Sequence, residues 1–179
     1  MMNEKIIEQT QNWIKSVVID CNFCPFAAKV FFEKKIHYVV KSNVLMTESL
    51  NSLKEELNYL QNETSVETSF IIFPNDFLNF GDYLNLVRKA ERLLIKENLD
   101  SVFQIASFHP DYCFADSDPE DSANYTNRSI YPMLHILRED SLTKVLKMFP
   151  NPEQIPINNV EFARTKGLKY MQILRAACM

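Results

Sequence analysis

The chain has 179 residues, of which 46% are hydrophobic and 12% aromatic, so its composition is that of a globular protein and excludes a disordered chain. The formal net charge of −4 leaves no large basic surface for a phosphate backbone, and we predict no nucleic-acid partner. The chain holds two glycines, Gly81 and Gly167, which excludes the glycine-rich loops that cradle nucleotide phosphates.

The N-terminal sequence MMNEKIIEQTQNW has no apolar secretory core, and no later run approaches the length of a membrane span. We therefore predict a protein without membrane association. Four cysteines are spread widely along the chain, a usage typical of free thiols in a reducing compartment. The predicted location is the cytoplasm.

Apolar spacing predicts the elements in chain order. Residues 3–19 repeat apolar side chains at helical spacing, which predicts an amphipathic N-terminal helix, and a short helix follows from Pro25. Further helices are predicted over 47–61, 82–97 and 130–148, with a last one from near Asn158. Runs of β-branched and aromatic residues predict strands over 36–41, 70–73 and 102–108.

Strands that alternate with helices of ten or more residues are typical of β-α-β units. We therefore predict one α/β domain over 1–179, with a small, mainly parallel sheet of three to five strands flanked by helices. The stretch 168–179 either packs on this domain or forms a C-terminal extension that contacts another subunit. The oligomeric state is not indicated.

The long connection after the third predicted strand is the main candidate site. His109 and Asp111 follow that strand, where ligands bind in α/β sheets. Ser129 is expected to cap the predicted helix 130–148, whose N-terminus would favour an anion. Arg128 could add a bidentate contact to phosphate or carboxylate. On that helix, His135, Arg138 and Glu139 would share one face.

A structural role explains the same residues equally well. Asparagine, threonine and serine side chains often satisfy backbone groups within a loop. The arginines could pair with neighbouring acids, and His135 could be a hydrogen-bonded core histidine. Both interpretations stay open at this point.

The run Cys21-Asn-Phe-Cys24-Pro25 is the second candidate feature. A thiol just before a helix has its thiolate stabilised, so Cys24 is a candidate nucleophile with His109 or His135 as the base. The C-x-x-C spacing also fits a redox dithiol, and Cys21, Cys24, His109 and Cys113 could form a four-ligand zinc site. Buried, inert cysteine is the commonest alternative.

Two other groups of residues are candidate metal sites. The acidic run 116–121 does not fit a calcium loop, because Asp121 stands where glycine is needed and Asn127 where glutamate is needed. His109, His135 and Glu139 could instead hold zinc or iron, as in open catalytic sites.

Several long motifs resemble a known family. CPFA (24–27), FHPDY (108–112), NYTNRS (124–129), YPMLH (131–135) and LRE (137–139) are similar to the bacterial domain-of-unknown-function family numbered 1415, over nearly the whole chain. The resemblance implies no activity. The family pattern usually has leucine at Cys21 and glutamine at Cys113, which weakens the dithiol and the four-ligand zinc site.

Three functions therefore stay open: an enzyme or binder with a polar small-molecule or anion site in segment 109–139, a non-catalytic partner-binding domain with a structural polar segment, and a protein that binds zinc or iron. The sequence indicates no particular cofactor. The candidate catalytic residues are Cys24, His109 and His135. The candidate ligand-binding residues are Asp111, Tyr112, Asn124, Thr126, Asn127, Arg128, Ser129, Arg138 and Glu139.

Overall fold

The structure, a computed structural model, describes residues 2–179. Its helices are α1 (Met2–Trp13), α2 (Ala27–Phe32), α3 (Met46–Asn62), α4 (Phe80–Lys96), α5 (Glu139–Leu146), α6 (Gln154–Lys166) and α7 (Leu168–Ala176). A π-helical segment, Ile14–Ile19, continues α1, and a short 3-10 helix covers Ser122–Thr126. The strands are β1 (Ile36–Val40), β2 (Thr68–Ile72), β3 (Phe103–Phe108) and β4 (Met133–Arg138).

The four strands form one mixed sheet in the order β1-β2-β4-β3. β1 pairs with β2 in parallel, whereas β4 runs antiparallel to both β2 and β3. The predicted α/β class, the number of strands and the N-terminal helix are confirmed. The prediction of a mainly parallel sheet is wrong, because β4 lies between β2 and β3 and runs antiparallel to both.

β4 was predicted as part of a helix over 130–148, and that prediction is wrong for its first half. Leu134 and Ile136 pack on one face of the sheet, while Met133 packs on the other. A strand that is covered on both faces has a continuous apolar sequence, which periodicity does not distinguish from a buried helix. The helix begins only at Glu139, so Ser129 does not cap it.

Helices cover both faces of the sheet. On one face, Trp13, Val17 and Met171 pack against Phe70 and Met133, which brings α1, the π-helical segment and α7 together. On the other face, α3 and α4 pack their apolar stripes against β2, β4 and β3. That second cluster contains Leu53, Leu57, Leu86, Ala90, Ile71, Leu134 and Phe103.

The C-terminal helices α6 and α7 lie on the same face of the sheet as α1. The last predicted helix begins at Gln154, earlier than expected, and ends at Lys166. Gly167, with a positive φ of 82°, separates it from α7. Met171 and Cys178 are almost fully buried against the N-terminal helices. Among residues 2–179, no helix combines the length and apolar character that crossing a lipid bilayer requires.

Candidate functional site

His109 is fully buried at the end of β3, and both of its ring nitrogens are bonded. Nε2 lies 2.9 Å from the Phe77 carbonyl, to which it donates, and Nδ1 accepts the Asp111 backbone N–H at 2.9 Å. Burial lowers the pKa of His109, so the neutral ring fits this arrangement. His109 therefore ties the turn after β3 to the loop before α4.

Other polar side chains of the connection bind its own backbone. The buried Asn124 accepts the Phe114 N–H at 3.0 Å and donates to the Asp118 carbonyl at 2.9 Å. Further bonds to main-chain carbonyls are Thr126 to Ala123, Asn127 to Ser107 and Ser129 to Tyr131. These contacts are typical of an ordered loop. Its polar side chains form hydrogen bonds with backbone groups that would be paired with other backbone groups in a helix or sheet.

Arg128 and Arg175, here called the arginine pair, lie against the same turn. Arg128 Nε donates to the Tyr112 carbonyl at 2.9 Å, and Arg175 Nη1 donates to the Pro110 carbonyl at 2.7 Å. Both guanidinium groups also contact the ring of the buried Tyr125, with 4.9 Å and 5.8 Å from Cζ to the ring centroid. A second bond of Arg128 reaches the Pro119 carbonyl at 2.7 Å.

The charge of the arginine pair is not matched by an acid. Within residues 2–179, neither guanidinium has a carboxylate within 4.0 Å. Asp121, in the same connection, pairs with Arg164 at 2.7 Å, and this arginine holds the pKa of Asp121 at about 2. Asp111, the acid within the turn, is exposed.

His135 lies on the middle of β4, on the sheet face that α1 covers. Its ring stacks on Phe70 with centroids 3.9 Å apart and planes 7° apart. Thr68 donates its hydroxyl proton to the Ile136 carbonyl at 2.5 Å, so at 2.7 Å it accepts from His135 Nε2. Burial lowers the pKa of His135 to about 3, and no hydrogen-bond partner of Nδ1 is found in the described part of the chain.

Arg138 and Glu139 do not share a helical face with His135, because a strand ends at Arg138 and a helix starts at Glu139. Arg138 crosses to the C-terminus of α3, where Nη2 lies 2.6 Å from the Leu60 carbonyl, 3.2 Å from that of Glu63 and 2.9 Å from that of Val66. A cation at the C-terminus of a helix satisfies its free carbonyls and its dipole. Arg138 therefore fixes α3 to the sheet.

Cys24 lies between the π-helical segment and α2, which begins at Ala27. Burial raises the pKa of its thiol, and this outweighs the opposite effect of the Phe26 and Ala27 backbone N–H groups. The expected lowering of the pKa by the helix start is therefore wrong in direction. The four cysteines Cys21, Cys24, Cys113 and Cys178 are all free thiols.

The histidines, acids and cysteines proposed as metal ligands do not converge. Over residues 2–179, the structure contains no group of three or more histidine, cysteine, aspartate or glutamate side chains that could hold a metal ion. The catalytic candidates are also separated, since His109 is held in the turn after β3 and His135 is stacked on β2. What the structure does bring together is Arg128 and Tyr125 with Arg175.

Arg175 is the residue that the sequence interpretation missed. It lies in the last turn of α7, and its contacts are to Pro110 and Tyr125, fifty or more residues away. A lone arginine near the end of an amphipathic helix carries no local signal of such a contact. Tyr125 had been noted only within the NYTNRS motif.

These features define a mixed α/β protein whose central connection is held by a buried histidine and flanked by two arginines without acidic partners. The family model "Protein of unknown function (DUF1415)" matches residues 5–173. The chain belongs to this family, as its motifs indicated. No curated protein and no solved structure matches it.

Proposed function

We propose that the chain binds a small anion, a carboxylate or a phosphate group, at the arginine pair. The observation that carries this proposal is that two partly buried guanidinium groups share one tyrosine ring and have no carboxylate within 4.0 Å among the described residues. A partly desolvated cation is stabilised by an opposite charge, and arginine offers carboxylate and phosphate a planar fork of donors.

Unused donors are available for such a ligand. Arg175 uses only Nη1 within residues 2–179, so Nε and Nη2 remain, and Arg128 retains Nη1. The Pro110 and Tyr112 carbonyls hold the two guanidinium groups in place before a ligand arrives. Such preorganisation lowers the entropy cost of binding.

His109 has a positioning role in this proposal. Its two ring bonds fix the turn that carries the Pro110 and Tyr112 carbonyls, and those carbonyls orient the arginine pair. An acid–base role for His109 would require one of these bonds to break. The proposal is therefore one of binding, with no chemical step assigned to His109, His135 or Cys24.

Isothermal titration calorimetry at low salt tests the proposal, with pyrophosphate and citrate as probes. We expect saturable binding to the wild type, weakened about tenfold or more in Arg175→Gln, since a charged hydrogen bond contributes roughly 1.5–3 kcal/mol. Arg164→Gln is the matched control, because that arginine already pairs with Asp121. No binding, or equal binding in wild type and Arg175→Gln, would contradict the proposal.

A partner-binding domain is the second candidate, and one observation favours it. Many polar groups of the connection already have partners inside the protein, including both ring nitrogens of His109, the Asn124 amide and two donors of Arg128. In that case, the hydrogen bonds of segment 109–139 hold a surface in shape for a partner protein, and the segment binds no small ligand. Failure of both anions to bind would favour this candidate.

A further inference from the structure

A cavity of about 280 Å³ opens between the turn 22–25 and the N-terminal half of α6. The volume is close to the lower end of ligand pockets, roughly 300–1,000 Å³. It shares no residue with the arginine pair. The run Cys21–Phe26, which carries the C-x-x-C motif, contributes Asn22 and Pro25 to the lining of the cavity.

The lining of this cavity is mostly apolar, and its polar side chains carry no charge. No acidic or basic side chain lines it within the described chain. Its polar members are five carboxamides, namely Asn22, Asn151, Gln154, Asn158 and Asn159. Gln154 Nε2 donates to Asn158 Oδ1 at 3.2 Å, and the donors and acceptors that remain in the set match a ligand that offers both. A charged ligand would lose its hydration here without gaining an opposite charge.

The remaining wall is apolar and is fixed in place. Phe149 lines the cavity and packs edge-to-face on Phe26, with ring centroids 5.8 Å apart. Asn159 donates to the Phe23 carbonyl at 2.7 Å, which holds the 22–25 turn against α6 and leaves the Asn159 oxygen as an acceptor. Carboxamides and an aromatic ring in one cavity suit a sugar, whose ring edges carry hydroxyls and whose ring faces carry C–H groups.

We propose that this cavity binds a neutral monosaccharide. The hydroxyls of the sugar bond to the carboxamides, and Pro25 and Phe149 cover its C–H face. In this account the motif around Cys24 shapes a ligand cavity, and the thiol itself takes no part.

Saturation-transfer NMR on the full chain tests this proposal, with glucose and N-acetylglucosamine as neutral probes and glucose 6-phosphate as the charged one. We expect signal transfer to at least one neutral sugar at millimolar concentration. In Asn151→Ala with Gln154→Ala, both exposed positions, the dissociation constant should rise at least tenfold. Asn85→Ala, an exposed amide on α4, should leave it unchanged.

Other outcomes would overturn the proposal. Absence of transfer to both neutral sugars would do so, as would equal binding in the double variant. Binding of glucose 6-phosphate alone, lost in Arg175→Gln, would assign the ligand to the arginine pair and leave the cavity without one. Because Arg175 does not line the cavity, the two proposals can fail separately.

Discussion

Tyr83 and Met133 are joined by a hydrogen bond of 2.8 Å, in which the buried phenol hydroxyl donates to the main-chain carbonyl where β4 begins. The same hydroxyl accepts the Phe108 N–H at 2.9 Å, at the end of β3. Phe108 and Met133 are register partners, so one side chain of α4 ties both strands at the edge where the candidate site starts.

Removing that hydroxyl is therefore expected to destabilise the protein. Tyr83→Phe leaves a buried N–H and a buried carbonyl without this partner, and each unsatisfied group costs about 1–3 kcal/mol. Urea denaturation should show a lower midpoint with an unchanged slope. Tyr170→Phe, at a half-exposed position, is the control. Equal midpoints for wild type and Tyr83→Phe would contradict this expectation.

The buried His109 and the partly buried His135 predict a loss of stability in acid. Burial depresses the pKa of His135 to about 3 and lowers that of His109, whereas an unfolded histidine titrates near about 6.5. Below about pH 6.5 the unfolded chain binds more protons than the folded one, so the free energy of unfolding falls as the pH falls toward about 3.

His135→Gln should flatten this dependence. Each titrating histidine contributes at most about 1.4 kcal/mol per pH unit within that window. Denaturation midpoints between about pH 6.5 and 4.5 measure the slope. Parallel slopes for wild type and variant would show that His135 is not held neutral in the folded state.

Arg138 is predicted to stabilise the end of α3. Arg138→Lys keeps the charge, but a single ammonium does not reproduce the planar guanidinium, whose Nη2 reaches the Leu60, Glu63 and Val66 carbonyls while Nε also reaches that of Val66. We expect a loss of about 1–3 kcal/mol in the free energy of unfolding. Arg92→Lys, exposed on α4, should cost little. A similar cost for both variants would argue against this role.

The thiol of Cys24 is expected to react slowly. Burial raises its pKa, which reduces the fraction of thiolate at neutral pH. Peptide-resolved mass spectrometry after brief labelling with iodoacetamide measures the rate for each cysteine in the wild type. Labelling of Cys24 faster than free cysteine would restore the nucleophile hypothesis.

Local patterns were sufficient for much of the fold. The stripe over 47–61 predicted α3, observed as Met46–Asn62, and the apolar run 70–73 lies on β2, observed as Thr68–Ile72. The pattern was not sufficient for 133–138, because a strand buried on both faces lacks a period of two. Because this strand is antiparallel to both of its neighbours, the sheet is mixed, whereas a mainly parallel one was predicted.

The site was harder to predict because its partners are distant in sequence. The sequence draws attention to the polar residues near His109, yet Phe77 and Arg175 complete the contacts of this segment from other parts of the chain. Spacing shows which residues share an element, whereas these contacts depend on how elements pack. Likewise, His135 bonds to Thr68 and Arg138 bonds to the end of α3, and both partners are distant in sequence.

The most direct test of the arginine pair is to follow the arginine Nε–Hε resonances by NMR while phosphate is added. The account predicts that the Arg128 and Arg175 signals shift together and saturate, and that the Arg164 signal, already paired with Asp121, moves little. Unchanged Arg128 and Arg175 signals, or a shift confined to Arg164, would contradict the proposed anion site.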